Sequence, residues 1–251
     1  MNVELAPPVA DPVREVLSGR ADVALVGAQG LRGPAVESLT TLAVLPREDP
    51  RDVLLAAGAE HVSLTTLPQG ARLGVHGSRR RAFLRAHRRD VEVVELDSET
   101  PSASALQASD LDAVIMGALE ARRMGVVGFI REVLDPKAWL PAPGQGAVAL
   151  VSRHPIAEAT ALDHLPTRTE LRAELALSDA LDAPPDAALG SLAQASGRWI
   201  RLWAALVSDD GQAVIRSDLT GPLDEPGVLG AAVAGQLGER GAAIVLAGSG
   251  A

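Results

Sequence analysis

Short apolar runs alternate with segments of helical spacing along the first two thirds of the chain. Residues 10–19 predict a helix with Asp11 as its N-cap and Gly19 at its end. Over 71–96, a strand that ends in glycine, a helix at 78–89 and a strand of valines alternating with acids follow one another. Because two strands joined by a helix lie parallel, this unit predicts a parallel sheet. Further strands are predicted at 21–27, 41–49, 111–118 and 140–152.

The pattern changes after residue 167. A helix is predicted to begin there with Thr169 as a plausible N-cap, and residues 191–221 predict two alternating strands joined at Asp210-Gly211, followed by a last helix at 225–242. Trp199 and Trp203 lie four apart in this strand region and face the same side, which favours core or interface packing. The C-terminal part is therefore expected to be a small α+β unit.

Composition narrows the classes of function. The chain has 251 residues and is 47% hydrophobic, which is enough for a packed core. Its formal net charge of −9 disfavours nucleic-acid binding. The absence of cysteine excludes disulfides, thiolate metal sites, cysteine nucleophiles and thioether-linked cofactors, and no metal cluster is expected. Since no run approaches eighteen apolar residues, we expect a soluble, cytoplasmic protein with no membrane partner.

Three arginines, Arg79, Arg80 and Arg81, are predicted in the first turn of the 78–89 helix, at its positive pole. Cations at this end cost about 0.3–1 kcal/mol each. A glycine-bearing loop, a helix start that Ser78 could cap and guanidinium groups together make an anion site for carboxylates or phosphates. The alternative is a solvated arginine face on a surface helix.

The segment Gly74-Val75-His76-Gly77-Ser78-Arg79-Arg80 resembles a signature of the porphobilinogen deaminase (hydroxymethylbilane synthase) family. Further matches occur in register along the chain, at 20–24 (Arg-Ala-Asp-Val-Ala), 47–52 (Arg-Glu-Asp-Pro-Arg-Asp) and 140–147 (Leu-Pro-Ala-Pro-Gly-Gln-Gly-Ala). The resemblance implies that seven residues contact a carboxylated substrate: His76, Gly77, Ser78, Arg79, Arg80, Gln145 and Gly146.

The same resemblance implies an α/β fold with a periplasmic-binding-protein-like two-domain body and a small C-terminal α+β domain. On this basis, residues 1–50 plus 140–164 are the remnant of domain 1, 51–139 form domain 2, and 165–251 form domain 3. The family's opening strand and helix have no match, so domain 1 is truncated. Three explanations are open: domain 1 has been rebuilt, a homodimer or another partner covers the gap, or the start was wrongly assigned.

The family polymerises four porphobilinogens on a dipyrromethane primer that a cysteine holds by a thioether. Pro185 stands at the position of that cysteine, so no cofactor is expected to be linked here. Gly30 stands for the catalytic aspartate and Gln29 for a lysine beside it. An arginine-bearing loop of the family is replaced at 96–100, where Asp97 reverses the charge, and its second arginine is lost within 102–104.

These losses favour a catalytically degenerate protein that binds a carboxylated small molecule of the pyrrole or tetrapyrrole type, or a regulatory partner of an active enzyme. One alternative is an active, cysteine-free hydroxymethylbilane synthase. The other is different chemistry on the same scaffold, for which His76 is the candidate acid–base group.

Overall fold

Three separate β-sheets organise the part of the chain that the computed structural model describes, which comprises residues 11–32, 36, 38–58, 62–97 and 110–247. The strands, in chain order, are β1 (Val23–Gly27), β2 (Thr40–Val44), β3 (Asp52–Leu55), β4 (Arg72–Val75), β5 (Glu92–Glu95), β6 (Ala113–Gly117), β7 (Ile130–Val133), β8 (Val148–Ser152), β9 (Leu189–Ser196), β10 (Trp199–Val207) and β11 (Val214–Pro222). The α-helices are Pro12–Leu17, Ser78–His87, Ala118–Arg123, Leu165–Ala180, Pro226–Glu239 and Ala242–Ala247. Short 3-10 helices span Ala28–Gly30, Val127–Phe129 and Ala157–Leu162.

The first sheet has the order β1-β8-β2, and both of its strand pairs are antiparallel. Its central strand, β8, follows the Pro/Gly turn that the sequence placed at the start of the 140–152 run. The helix predicted before β1 is confirmed as Pro12–Leu17. As expected of its N-cap, the Asp11 side chain accepts a hydrogen bond from the Arg14 backbone N–H at 2.9 Å, and Gly19, just after the helix, has a φ of 77°.

The second sheet has the order β5-β4-β6-β3-β7. Strand β4 runs parallel to both β5 and β6, which confirms the parallel sheet predicted for the strand–helix–strand unit. Strands β3 and β7 pair antiparallel and were not predicted as strands, because neither alternates between buried and exposed positions. All four side chains of β3 are buried, including that of Asp52.

The third sheet, β11-β10-β9, is antiparallel and confirms the predicted C-terminal α+β unit. It has three strands rather than the expected two, because Gly197, with a φ of 60°, turns the chain between β9 and β10. One face packs on the Leu165–Ala180 and Pro226–Glu239 helices. On the other face, Ala205 and Val207 pack in the cluster that contains Phe83 of the Ser78–His87 helix.

Two predicted helix caps are wrong. The Leu165–Ala180 helix begins before Thr169, and the ring of His164 is its cap, accepting a hydrogen bond from the Thr167 backbone N–H. Thr169 instead lies inside the helix, and its hydroxyl donates to the Leu165 carbonyl at 2.9 Å. Ser78 is the first residue of its helix rather than the cap; Gly77 takes the cap position with a φ of 87° and no side-chain hydrogen bond.

The α/β class of the body, with its small α+β unit at the C-terminal end, confirms the predicted fold class. Strands of the first sheet fall within 1–50 and 140–164, those of the second within 51–139 and those of the third within 165–251. The exact domain boundaries stay a prediction. Among the helices described, none is long and apolar enough to cross a membrane.

Candidate functional site

A cavity of about 680 Å³ lies where segments of three units meet, each unit being one sheet together with the helices and loops of its part of the chain. From the first unit it receives Gln29, Leu31 and Arg32, which follow β1, and Ala142, Pro143 and Gln145 from the turn before β8. The loop and helix start after β4 contribute His76, Gly77, Ser78, Arg79 and Arg80. The third unit closes the cavity with Leu175, Ser178, Asp179, Ala183, Pro184, Pro185, Ala187 and Leu189. Six of the seven site residues expected from the sequence are thus brought together.

Gly146, the seventh, is not among these lining residues. It sits in the turn before β8 with a φ of 80°, and a Cβ built there would lie 2.6 Å from the Glu48 carbonyl oxygen. Only glycine combines this backbone conformation with so close a chain approach. The expected contact with substrate stays a prediction, while the structure gives Gly146 a role in shaping the turn.

Arg79 and Arg80 are buried, with only 7% and 5% of their surface exposed, so the interpretation of a solvated arginine face is wrong for both. They share the carboxylate of Asp52, which is itself 1% exposed. Arg79 donates to Asp52 Oδ2 at 2.6 Å and to the Leu140 carbonyl at 2.8 Å, and Arg80 Nε donates to Asp52 Oδ1 at 3.2 Å. Two of the three cations at the helix start, Arg79 and Arg80, therefore belong to an internal ion-pair network at the wall of the cavity. Arg81 pairs instead with Glu95 and Asp209.

Two neutral side chains complete this network around Asp52. Trp139 Nε1 donates to Oδ2 at 2.8 Å, and Gln145 Nε2 donates to Oδ1 at 2.8 Å. The amide oxygen of Gln145 also accepts from Arg79 at 3.1 Å. Burial by itself raises the pKa of Asp52, but the charges of Arg79 and Arg80 outweigh it and hold that pKa at about 2, below the usual 3.8. Asp52 is therefore ionised at neutral pH.

His76 lies half-buried at the loop before the helix, with Nδ1 2.8 Å from the Leu96 carbonyl oxygen. Since a carbonyl only accepts, Nδ1 carries the proton of this hydrogen bond. In the neutral ring, Nε2 is then the unprotonated nitrogen, which accepts hydrogen bonds. This geometry fixes the ring at the cavity wall and selects one tautomer.

Comparison with known proteins relates this chain to one protein family. Residues 12–161 match the family model described as porphobilinogen deaminase, dipyromethane cofactor binding domain. The chain belongs to the porphobilinogen deaminase family. Porphobilinogen deaminase 1 of Streptomyces coelicolor is 33% identical over 236 residues, which cover 88% of this chain and 73% of that protein. Porphobilinogen deaminase of Thermobifida fusca is 35% identical over 213 residues, covering 82% and 66% respectively.

Two solved structures show distant likenesses. A periplasmic substrate-binding protein of an ABC transporter from Coxiella burnetii aligns with a TM-score of 0.40 at 15% identity, over 61% of this chain and 72% of that one. A nutrient-binding protein from Burkholderia cenocepacia aligns with the same score at 14% identity, over 58% and 70%. Likenesses at this level carry no conclusion about the ligand of the present chain.

The residues present do not fit a dipyrromethane held by a thioether, which is the linkage that the resemblance implies for the cofactor named in the family model's description. Pro185, which the resemblance places at the position of the family's cysteine, lines the cavity on an exposed loop and has no side-chain nucleophile. The whole sequence contains no cysteine, so no thioether to cysteine can form. Gly30, which the resemblance places at the position of the catalytic aspartate, ends the 3-10 helix after β1, between the cavity-lining Gln29 and Leu31.

The loop that reverses the family's charge is described only in part. Leu96 and Asp97 are placed, and Asp97 is exposed and not among the residues that line the cavity. Residues 98–100 and 102–104, on which the rest of that expectation rests, lie outside the described residues. The predicted repulsion of a polycarboxylate at this loop stays a prediction.

Sequence reasoning missed the acidic partners of the site. Asp52 was not among the expected site residues, although its position directly before Val53, Leu54 and Leu55 is a signal of a buried charge. Arg32 and Asp179 were also missed; both line the cavity, and Arg32 Nε donates to Asp179 Oδ1 at 3.2 Å. No local pattern marks this pair, because its members are 147 residues apart.

Proposed function

We propose that this protein binds a carboxylated small molecule of the pyrrole or tetrapyrrole type and does not polymerise it. The observation that carries the proposal is that the cavity is formed, while the side chains expected for the family's reaction are missing from it. Its walls come together from all three units, while the two positions that matter most for the family's reaction are Gly30 and Pro185.

The replacements at positions 30 and 185 affect two different steps of the family's reaction. Without a nucleophile at position 185, no primer chain is anchored while it grows. Without a carboxylate at position 30, no fixed negative charge stands where positive charge develops on a pyrrole nitrogen. Asp52 does not replace that carboxylate, because it is fully committed to Arg79, Arg80, Trp139 and Gln145 and lies behind the cavity wall.

The features that support binding are cationic and polar groups held in place before a ligand arrives. Arg79 and Arg80 are fixed by Asp52 at the start of a helix, whose positive pole faces the cavity. His76 and Ser78 add groups able to make hydrogen bonds. Preorganised side chains of this kind lose little entropy when a ligand binds, which favours affinity.

The acidic residues at and behind the cavity wall limit how much negative charge a ligand can carry. Asp52 offsets much of the field of the two buried arginines, and Asp179 is paired with Arg32. The described residues around the cavity therefore carry a small positive excess. Within the proposed class, this favours a single pyrrole with one or two carboxylates over a tetrapyrrole with many.

The test combines calorimetry with intact mass, using porphobilinogen as the probe. We expect saturable binding to the wild type, no added pyrrole mass and no uroporphyrin after oxidation. Added mass or porphyrin absorbance would show that polymerisation survives and would overturn the proposal. Absence of porphobilinogen binding to the wild type would overturn the claim that the protein binds such a molecule.

Arg32→Gln gives a site-specific variant, and Arg20→Gln is its matched control. Both arginines are ion-paired with a carboxylate at the surface, Arg20 with Glu15 at 2.7 Å, but only Arg32 lines the cavity. We expect Arg32→Gln to weaken porphobilinogen binding by roughly tenfold and Arg20→Gln to leave it unchanged. Equal affinities of the two variants would place the ligand elsewhere.

A further inference from the structure

A second cavity, of about 430 Å³, lies against β10 and β11 of the third sheet, beside the segment that ends at Leu140. No residue that lines it also lines the larger cavity described above. Three cationic side chains surround it: Lys137 from the loop after β7, Arg216 from β11 and Arg240 from the end of the Pro226–Glu239 helix. Three separate elements thus bring positive charge to one point of a chain whose net charge is −9.

None of these three cations forms a salt bridge within the part of the chain that the structure describes. Arg216 donates to the carbonyls of Lys137 and Ala138 at 2.9 and 2.7 Å, and Arg240 donates to the Arg216 carbonyl. Neutral carbonyls orient these guanidinium groups but do not cancel their charge. Partial burial lowers the pKa of Arg216, as expected for a cation removed from water without a counter-charge.

The one carboxylate that lines the cavity belongs to Asp218, and it is already engaged. Arg201 donates to Asp218 Oδ2 at 2.6 Å, so this pair is neutral as a unit. What remains is the combined charge of Lys137, Arg216 and Arg240. A cluster of three like charges is unfavourable by itself and becomes favourable when an anion lies between them.

Trp203 forms part of the wall of this cavity and also packs against the core cluster that contains Phe83, in line with its expected core packing. Its ring is half-buried, with Lys137 Nζ 5.3 Å and Arg201 Cζ 4.8 Å from the ring centroid. These cation–π contacts hold Lys137 in position. Lys137 is also the only lysine in the sequence, where every other basic side chain of the Lys/Arg type is arginine.

We propose that Lys137, Arg216 and Arg240 form a second binding site, specific for a small dianionic oxyanion of the phosphate type. Guanidinium groups match the geometry of phosphate oxygens, and an ammonium group adds a compact charge to the same ligand. A dianion compensates three cations better than a single carboxylate does. This site is independent of the binding proposed for the larger cavity.

The single lysine gives a direct assay. An amine-reactive reagent labels only Lys137 and the N-terminal amine, and peptide mass spectrometry measures the rate at each. We expect inorganic phosphate to slow labelling of Lys137 several-fold and to leave the N-terminal amine unaffected. Potassium chloride at the same ionic strength controls for screening, because a general salt effect acts on both amines.

A nucleoside monophosphate forms the second arm. Protection by inorganic phosphate supports a site for the free anion, whereas protection by the ester alone supports a site that also needs the organic group beside Trp203. Protection by neither anion, or equal protection by chloride, would overturn the proposal.

Variants separate a binding site from an accidental cluster of charges. We expect Arg240→Gln and Arg216→Gln each to weaken phosphate protection by roughly tenfold. Arg20→Gln is the matched control, because Arg20 is an ion-paired surface arginine that lines neither cavity. Since Arg216 also holds the loop of Lys137, Arg240→Gln is the decisive variant. Unchanged protection in Arg240→Gln, or an equal loss in Arg20→Gln, would refute the assignment.

Discussion

Replacing Asp52 by asparagine tests the network behind the larger cavity. The substitution keeps the size of the side chain and removes the buried carboxylate that Arg79 and Arg80 share at 2.6 and 3.1 Å. It also sets an amide N–H₂ group against the donors of Trp139 or Gln145, which now both donate to the carboxylate. We therefore expect a large loss of stability from a change of a single atom.

The magnitude follows from burial. Removing one partner of a buried ion pair costs about 3–5 kcal/mol. An independent figure comes from the pKa of Asp52, since holding it at about 2 instead of 3.8 corresponds to roughly 2 kcal/mol of favourable interaction of the charged form. Either figure is a large fraction of the total free energy of unfolding of a typical domain, which is about 5–15 kcal/mol.

Urea denaturation, followed by tryptophan fluorescence, measures the effect, and Trp139 reports on the network itself. The matched control is Asp49→Asn, the same substitution three residues earlier, where the carboxylate pairs with Arg51 nearer the surface. We expect Asp52→Asn to lower the free energy of unfolding by about 3 kcal/mol and Asp49→Asn by less than about 1 kcal/mol. If the two variants were equally stable, the reasoning about the buried network would be refuted.

Three further expectations follow from the same kind of argument. Because folding lowers the pKa of Asp52 from 3.8 to about 2, its contribution is complete above pH 3.8 and is lost as pH falls toward 2. Wild type should therefore lose more stability than Asp52→Asn over that interval in acid urea titrations, and parallel curves would contradict this. Glu174→Gln should cost about 3–5 kcal/mol in urea denaturation, because the carboxylate is fully buried against Arg47 at 2.7 Å; a cost below about 1 kcal/mol, as for a surface pair, would show the pair to be dispensable. Gly146→Ala should destabilise by roughly 2 kcal/mol more than Gly70→Ala, since both have positive φ but only Gly146 faces a backbone oxygen at 2.6 Å; equal melting temperatures would contradict this.

The sequence by itself determined the local elements and the missing chemistry. The helix Ser78–His87 and its parallel flanking strands follow from periods that neighbouring residues reveal. The motifs at correct mutual spacing were enough to identify the family, which the comparisons confirm. Absence of cysteine excludes a thioether whatever the fold, because a bond needs its atom.

Tertiary structure alone decided what the charged residues do. The sequence showed arginines at a helix start but not the carboxylate they share, since Asp52 is 27 residues from Arg79 and 93 from Gln145. Arg47 and Glu174 are 127 residues apart, and their pairing was invisible for the same reason. Periodicity reports on neighbours within a few positions, whereas the partner of a buried charge is set by which elements pack together. The cluster of Lys137, Arg216 and Arg240 likewise exists only because three distant elements meet at one point.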